Sequence, residues 1–183
     1  MSRVNVLVEG QTEQAFLLQL LTPALSAHGV YLHGVLVGKP GHKGGIRSFE
    51  AVQRDITSLL KQDKDATVTT LFDRYALPRD WPGLEDSKKF SDLAQAHRVL
   101  CKAMHAQVCK AMGSDFHSNR FLPYIQFYEV EAFLFARPIT TAKLLGNPTY
   151  THQLQQAVQE RGGCEHINDD PSKAPSKRIH NLF

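Results

Sequence analysis

Acidic residues stand directly after three apolar runs of this chain of 183 residues. Each run is short and is bounded by turn-forming residues, which is typical of a β-strand. Carboxylate oxygens are the ligands that Mg²⁺ and Mn²⁺ prefer, and several acids held together repel one another unless a cation binds them. The sequence therefore predicts a divalent metal site at the ends of strands. The runs and the acids that follow them are 4–8 with Glu9, 66–72 with Asp73, and 121–128 with Glu129 and Glu131.

Each acid also has a purely structural alternative. Glu9 could be a solvated acid at a strand end, and Asp73 could be an ordinary aspartate that begins a turn. Glu129 lies nearer the predicted strand end than Glu131, so it is the favoured ligand of the two, and the other carboxylate could pair with a basic neighbour. Glu13 falls in the first turn of a predicted helix, where an acid interacts favourably with the helix dipole. It could equally support the metal site from beside Glu9.

Basic residues are grouped in two segments where they could contact a phosphodiester. Lys177 and Arg178, with Lys173 nearby, form the densest basic cluster. Cations beside a reacting phosphate offset its developing charge, which makes Lys177 and Arg178 candidate catalytic residues, and a solvated helix end is the alternative. The second segment is a glycine-rich loop that lacks the pattern of a nucleotide-binding loop and could be merely a surface loop. Its residues expected to follow a nucleic-acid backbone are Lys39, Lys43 and Arg47.

Two aromatic residues, Tyr75 and Trp81, follow Asp73 closely. They lie amid two prolines and a glycine, which predicts a loop beside the acidic site. Aromatic side chains in such a loop can stack on an unpaired base of a nucleic acid. The alternative for Trp81 is to anchor the loop.

The composition is that of an ordinary globular protein, with 42% hydrophobic and 21% charged residues. A formal net charge of +3 permits a polyanionic partner without demanding one. The chain has three cysteines without C-x-x-C spacing, which predicts reduced thiols, and nine histidines without an H-E-x-x-H motif, which disfavours zinc. Without a long apolar run or a signal peptide, we expect a soluble cytoplasmic protein that does not span a membrane.

Helical patterns alternate with the strand patterns along the chain. Thr12 can cap a helix over residues 13–28 that Pro23 bends or divides, and a strand is predicted over 30–37. Because no hairpin signal joins the acid-bearing strands, the alternation predicts an α/β fold with a mainly parallel central sheet flanked by helices. The carboxyl ends of parallel strands meet at one edge of such a sheet. Further helices are predicted over 48–62, 90–112, 139–145 and 150–160, and one domain over 1–183, with a small helical extension from about 138.

Four motifs together resemble an uncharacterised bacterial Toprim-like family. This family is related to the Toprim fold of topoisomerases, primases and overcoming-lysogenization-defect nucleases. The resemblance covers nearly the whole chain, and its members are often encoded beside an ATPase of the ATP-binding-cassette or AAA type. The motifs are Val8-Glu9-Gly10-Gln11-Thr12-Glu13, Phe72-Asp73-Arg74-Tyr75-Ala76-Leu77-Pro78, Glu129-Val130-Glu131-Ala132-Phe133-Leu134-Phe135 and Ala174-Pro175-Ser176-Lys177-Arg178.

The resemblance implies roles for the acids. In Toprim enzymes the glutamate after the first strand is a general acid or base, and an Asp-x-Asp after a later strand binds Mg²⁺, which places these roles on Glu9 and Asp73. Tyr75 stands where the second aspartate is expected. Tyrosine, with a pKa of about 10, cannot replace a carboxylate on the metal at neutral pH. Either Glu129 or Glu131 supplies the missing charge, or the site has lost catalysis.

These features predict a Mg²⁺- or Mn²⁺-dependent nuclease that cleaves DNA or RNA, in line with an ATPase-linked phage-defence system. The alternative is a non-catalytic partner or regulatory subunit of the ATPase with a vestigial acidic site. The partners expected are nucleic acid and the ATPase, and a homo-oligomer is left open.

Overall fold

A parallel β-sheet is the framework of the first of two units, Met1–Gln126 and Phe127–Phe183. The fold comes from a computed structural model that describes residues 1–38, 45–127, 129–167 and 174–181. The sheet has the order β2-β1-β3-β4, with β5 also pairing with β3, and every pairing is parallel. The predicted α/β fold with a mainly parallel sheet flanked by helices is therefore confirmed. The strands are β1 Ser2–Val8, β2 Val30–Leu36, β3 Thr67–Asp73, β4 Phe121–Leu122 and β5 Ile125–Gln126.

The last two strands differ from the single strand predicted over 121–128. β4 and β5 are separate two-residue strands, with Pro123 between them. Proline has no amide N–H to donate to a neighbouring strand, so it interrupts the ladder with β3. The regular strand consequently ends at Gln126, before the acidic pair. Tyr128, the last residue of the predicted strand, is outside the described residues.

The first crossover is one continuous helical segment with an irregular middle. It consists of helix α1 Gln11–Phe16, a π-helical stretch Leu17–Leu21 and helix α2 Thr22–Ser26. Proline cannot donate to the helical ladder, and its ring crowds the preceding turn. The π-helical stretch ends just before Pro23, and the hydroxyl of Thr22 donates to the carbonyl of Leu17 at 2.9 Å. The predicted disturbance of the helix at Pro23 is thus found as a widened turn.

The described residues of the first unit form three further α-helices. They are α3 Phe49–Gln62, α4 Leu84–Ser87 and α5 Leu93–Met112. The Ser48 side chain accepts a hydrogen bond from Ala51 N and so caps α3, and Asp92 caps α5 through Ala94 N. Buried side chains recur every four residues along both long helices, as expected for one apolar face. They are Val52, Ile56 and Leu60 on α3, and Ala96, Leu100, Met104 and Val108 on α5.

The second unit is helical. Its elements are a 3₁₀ segment Val130–Ala136 and helices α6 Pro138–Leu144, α7 Tyr150–Arg161 and α8 Pro175–His180. Its buried core consists of Phe135, Ala142, Leu154, Ala157 and Ile167. None of the helices in the described ranges is long and apolar enough to cross a membrane.

Candidate acidic site at the carboxyl ends of the strands

Glu9 is held in a tight turn between β1 and α1. The Glu13 carboxylate accepts a hydrogen bond from the backbone N–H of Gly10 at 2.9 Å, which caps the start of α1. A Cβ atom on Gly10 would lie 3.0 Å from the same carboxylate oxygen. Glycine at position 10 therefore lets Glu13 approach the turn closely. Glu13 thus caps the turn that carries Glu9, and its support of a metal site stays a prediction.

The carboxyl group of Glu9 is half-buried, and its pKa is raised above the ordinary value. Burial is the larger cause because it disfavours the charged form, and repulsion by the Glu13 carboxylate is the second. Both effects oppose a negative charge at Glu9. A divalent cation would offset both of them, so the electrostatics of this turn fit a metal ligand.

Asp73 is the last residue of β3, next to the end of β1. Val8 pairs with Leu71 in the parallel register, so Asp73 lies level with Gly10, one residue beyond Glu9. Neighbouring strands are about 4.8 Å apart. The backbone thus brings Glu9 and Asp73 to the same edge of the sheet on adjacent strands, as the sequence predicted.

Glu9 and Asp73 are not joined by a third metal-ligating side chain among the described residues. Within ranges 1–38, 45–127, 129–167 and 174–181, no group of three or more His, Cys, Asp or Glu side chains is arranged to hold a metal ion. Mg²⁺ typically uses one or two protein carboxylates and completes its shell with water and substrate phosphate. Glu9 and Asp73 supply oxygen donors of this kind, and metal binding stays a prediction.

A third strand end carries Gln126, which sequence reasoning missed. Gln126 pairs in register with Asp73 and is 9% exposed, and its side-chain oxygen accepts a hydrogen bond from the Tyr124 hydroxyl at 2.6 Å. The missed signal was Pro123, because a strand restarted after this proline ends near Gln126. The longer predicted strand instead directed attention to Glu129.

Glu129 and Glu131 belong to the second unit. Glu129 accepts a hydrogen bond from the backbone N–H of Ser176 at 2.9 Å, in the first turn of α8. An acid at this position satisfies one of the amides that a helix start leaves unpaired. The contact joins the third and fourth sequence motifs. Glu131 lies in the 3₁₀ segment that follows Glu129, and metal ligation by either residue stays a prediction.

The basic candidates are distributed over both units. Lys177 is exposed and Arg178 is half-buried, and both follow Ser176 on α8. Arg47 is exposed, directly before the Ser48 cap of α3. Their predicted contacts with a phosphodiester stay predictions. The remaining basic candidates, Lys39, Lys43 and Lys173, lie outside the described residues.

The two aromatic candidates have different environments. Tyr75 lies in the 3₁₀ turn Arg74–Ala76 directly after Asp73 and is 61% exposed, and its predicted contact with a nucleic acid stays a prediction. Trp81 is only 3% exposed and packs edge-on against Phe49 at 5.1 Å and Phe72 at 5.9 Å between ring centroids. The prediction that Trp81 stacks on a base was therefore wrong. Its alternative role as the anchor of the loop is confirmed.

The fold and the site define a parallel α/β protein with two carboxylates at the ends of adjacent strands. A family model described as "Domain of unknown function (DUF4276)" matches residues 8–183. The chain belongs to this family. No curated protein and no solved structure matches the chain. The matched range, 8–183, covers the positions of both strand ends and the helical second unit.

Proposed function

We propose that this protein is a metal-dependent nuclease that hydrolyses phosphodiester bonds in DNA or RNA, as part of an ATPase-linked phage-defence system. The observation that carries the proposal is the position of Glu9 and Asp73 at the carboxyl ends of adjacent parallel strands. Ligands of open α/β sheets bind at this edge. The Toprim resemblance of the four motifs supports the same class of reaction.

Glu9 and Asp73 would hold Mg²⁺ or Mn²⁺, with Glu129 and Glu131 as further candidate ligands. A bound cation of this kind polarises the phosphoryl group and lowers the pKa of water. The donor set at the strand ends is oxygen only, which suits these hard cations. Burial raises the pKa of Glu9 first and repulsion by Glu13 second, and a cation there would offset this repulsion.

The chain's own residues would carry the proton and charge transfers. A carboxylate has two oxygens, so Glu9 would bind the cation through one oxygen and act as general base through the other. Glu9 would accept a proton from water as the water oxygen bonds to phosphorus. The bond between phosphorus and the ester oxygen would break, and this oxygen would leave as an alcohol after taking a proton from solvent water. Lys177 or Arg178 would offset the charge that develops on the phosphoryl oxygens.

A nuclease assay with matched variants tests this proposal. Purified protein is incubated with Mn²⁺ and single- or double-stranded DNA or RNA, with and without a candidate partner ATPase of the ATP-binding-cassette or AAA type. We expect Glu9→Gln to stay folded and to lose about 100-fold to 10,000-fold in rate, the usual contribution of general acid-base catalysis. Glu50→Gln is the matched control, because Glu50 is an exposed acid paired with Arg54 on α3. Full activity of folded Glu9→Gln would overturn the catalytic assignment.

A second candidate function is a non-catalytic subunit of the ATPase. Tyr75 replaces the second Toprim aspartate, and the second unit exposes Phe133, Ile139 and Leu144, at 45%, 67% and 79%. Exposed apolar side chains of this size are common at protein interfaces. In this case Ile139→Asp with Leu144→Asp would abolish co-purification with the ATPase, and Glu9→Gln would leave both association and biological activity intact. Biological activity of the wild type without any nuclease activity would favour this candidate.

A further inference from the structure

Gln126 is a buried polar residue whose amide orientation is fixed. Its side chain is 9% exposed, and its Oε1 accepts a hydrogen bond from the Tyr124 hydroxyl at 2.6 Å. The opposite end of the amide is Nε2, which carries two N–H donors and cannot accept. Because Tyr124 occupies the amide oxygen, the other end of the Gln126 amide presents N–H donors and no acceptor.

Tyr124 is itself firmly positioned. Its backbone N–H donates to Thr70 Oγ1 at 3.0 Å, and the same hydroxyl donates to the Tyr124 carbonyl at 2.7 Å. Thr70 is 1% exposed, and the His97 ring lies 5.4 Å from the Tyr124 ring between centroids. The phenol is thus fixed by backbone and ring contacts, and it can hold the Gln126 amide in one rotamer.

The register places Gln126 beside the candidate metal ligand Asp73. The two residues are paired across the parallel strands β3 and β5. Side chains alternate between the two faces of a sheet, and paired residues of parallel strands share a face. Gln126 and Asp73 therefore lie on the same face of the sheet, on neighbouring strands about 4.8 Å apart.

The amide nitrogen of Gln126 has no hydrogen bond within the described residues, although the amide oxygen has one. Gln126 Nε2 is not one of the fully buried side-chain atoms that lack a hydrogen bond. This donor is therefore reachable from solvent, and a ligand oxygen can accept a hydrogen bond from it. An N–H donor next to a metal-binding carboxylate suits an anionic oxygen that also approaches the cation. Non-bridging oxygens of a phosphate have this chemistry.

We infer that Gln126 Nε2 donates to a non-bridging phosphate oxygen of the substrate, next to a cation held by Asp73. This inference rests on the proposed nuclease function and adds a phosphate subsite to it. The side chain binds substrate, and Tyr124 acts through it as a positioning residue. Gln126 is not expected to ligate the metal, because its oxygen is already engaged by Tyr124.

Calorimetry with two probes tests the inference, first Mn²⁺ alone and then thymidine 5′-monophosphate with saturating Mn²⁺. Gln126→Met keeps the length of the side chain and removes the donors. We expect it to weaken the nucleotide at least tenfold and to leave Mn²⁺ affinity within about twofold, since a tenfold loss is about 1.4 kcal/mol. Tyr124→Phe should weaken the nucleotide by a smaller factor, because the amide loses its fixed orientation. Gln62→Met, at an exposed glutamine on α3, is the matched control.

Gln126→Glu is a second test, which applies even if Gln126→Met does not fold. It should change the affinities for Mn²⁺ and for the nucleotide in opposite directions. Its carboxylate should tighten Mn²⁺ beside Asp73 and weaken the nucleotide by charge repulsion. Unchanged nucleotide affinity in folded Gln126→Met would overturn the inference. So would a loss confined to Mn²⁺ affinity, which would instead make Gln126 a support for Asp73.

The same measurements separate this inference from the proposed function. One possible result is that the wild type binds the nucleotide without Mn²⁺ and that Gln126→Met does not bind it. This result would support the phosphate subsite and contradict the metal site. Wild-type protein that binds neither probe would overturn both.

Discussion

The carboxylate of Glu9 is disfavoured by burial and by the negative charge of its neighbour Glu13. Its pKa is raised from the ordinary value of 4.5, first by burial and then by Glu13. The unfolded chain therefore loses the Glu9 proton at lower pH than the folded protein does. Glu9 lowers the free energy of unfolding as the pH rises from about 4.5 through the folded-state pKa, and it has no such effect below this window.

We expect Glu9→Gln to raise the melting temperature of the metal-free protein at pH 7, because glutamine carries no charge to bury. The gain should be below about 1 kcal/mol, since the half-exposed carboxylate is partly screened by solvent. Thermal melts between pH 3.5 and pH 7.5 check this prediction, with the difference from wild type vanishing at the acid end. A difference that does not change with pH would show that charge at Glu9 is not its cause.

Asp73 provides the residue-scale test of the metal site. Its position at the end of β3 predicts that Asp73→Ala weakens Mn²⁺ binding at least tenfold, about 1.4 kcal/mol. Calorimetric titration measures the affinity, and Asp86→Ala is the control, because Asp86 is an exposed acid paired with Lys89. Equal Mn²⁺ affinities of Asp73→Ala and wild type would remove Asp73 from the site.

The acids at the ends of β1 and β3 could be predicted from sequence because an apolar run that stops at a carboxylate is a local signal. Gln126 could not be predicted in the same way. Its significance depends on the register with Asp73 and on the Tyr124 hydroxyl, which only the folded chain defines. The hydrogen bond of Glu129 to Ser176 joins residues 47 positions apart, and no local pattern indicates such a contact.

At the scale of elements, the sequence located the helices and strands better than their irregularities. The prediction that Pro23 disturbs the first helix was right, but its outcome as a π-helical turn depends on packing against the sheet. Close contacts between a helix and a strand could not be predicted from the sequence either. A Cβ atom on Gly34 of β2 would lie 2.8 Å from the Leu17 side chain, so this glycine allows the helical segment to pack tightly on the strand. Such contacts depend on three-dimensional packing and leave little trace in local patterns.

Gly83 offers a stability prediction for the loop that precedes α4. Its φ is +78°, and a Cβ atom would lie 2.8 Å from Ala103 Cβ and 3.1 Å from the Val99 carbonyl oxygen of α5. We expect Gly83→Ala to lower the free energy of unfolding by about 2 to 4 kcal/mol, from backbone strain together with overpacking. Urea denaturation measures the change.

Gly162 is the matched control for this prediction. Its φ is +74°, in the same left-handed region as Gly83, and a Cβ atom there would meet nothing within 4 Å. Gly162→Ala should therefore show the backbone strain alone and a clearly smaller loss of stability. Equal losses in the two variants would mean that the packing of the loop against α5 contributes nothing.

At the scale of the whole molecule, one family model covers the strand-end acids of the first unit and the basic helix of the second. The prediction of a single domain over 1–183 stays a prediction beside the two compact units. The four motifs have different positions in the structure. The first two motifs lie where strands β1 and β3 of the sheet end. The last two motifs are joined within the second unit by the hydrogen bond between Glu129 and Ser176.

This difference predicts that Glu129 stabilises the second unit whether or not it also binds a metal. Glu129→Ala leaves the Ser176 amide without its acceptor, so the free energy of unfolding should fall by about 1 to 3 kcal/mol. Glu129→Gln keeps a side-chain oxygen as acceptor and loses only the charge, so most of the stability should remain. Urea denaturation of the two variants and the wild type measures both effects. Equal stability of Glu129→Ala and wild type would contradict the anchoring role, and equal losses in both variants would assign the stabilisation to charge at the start of α8 and not to the hydrogen bond.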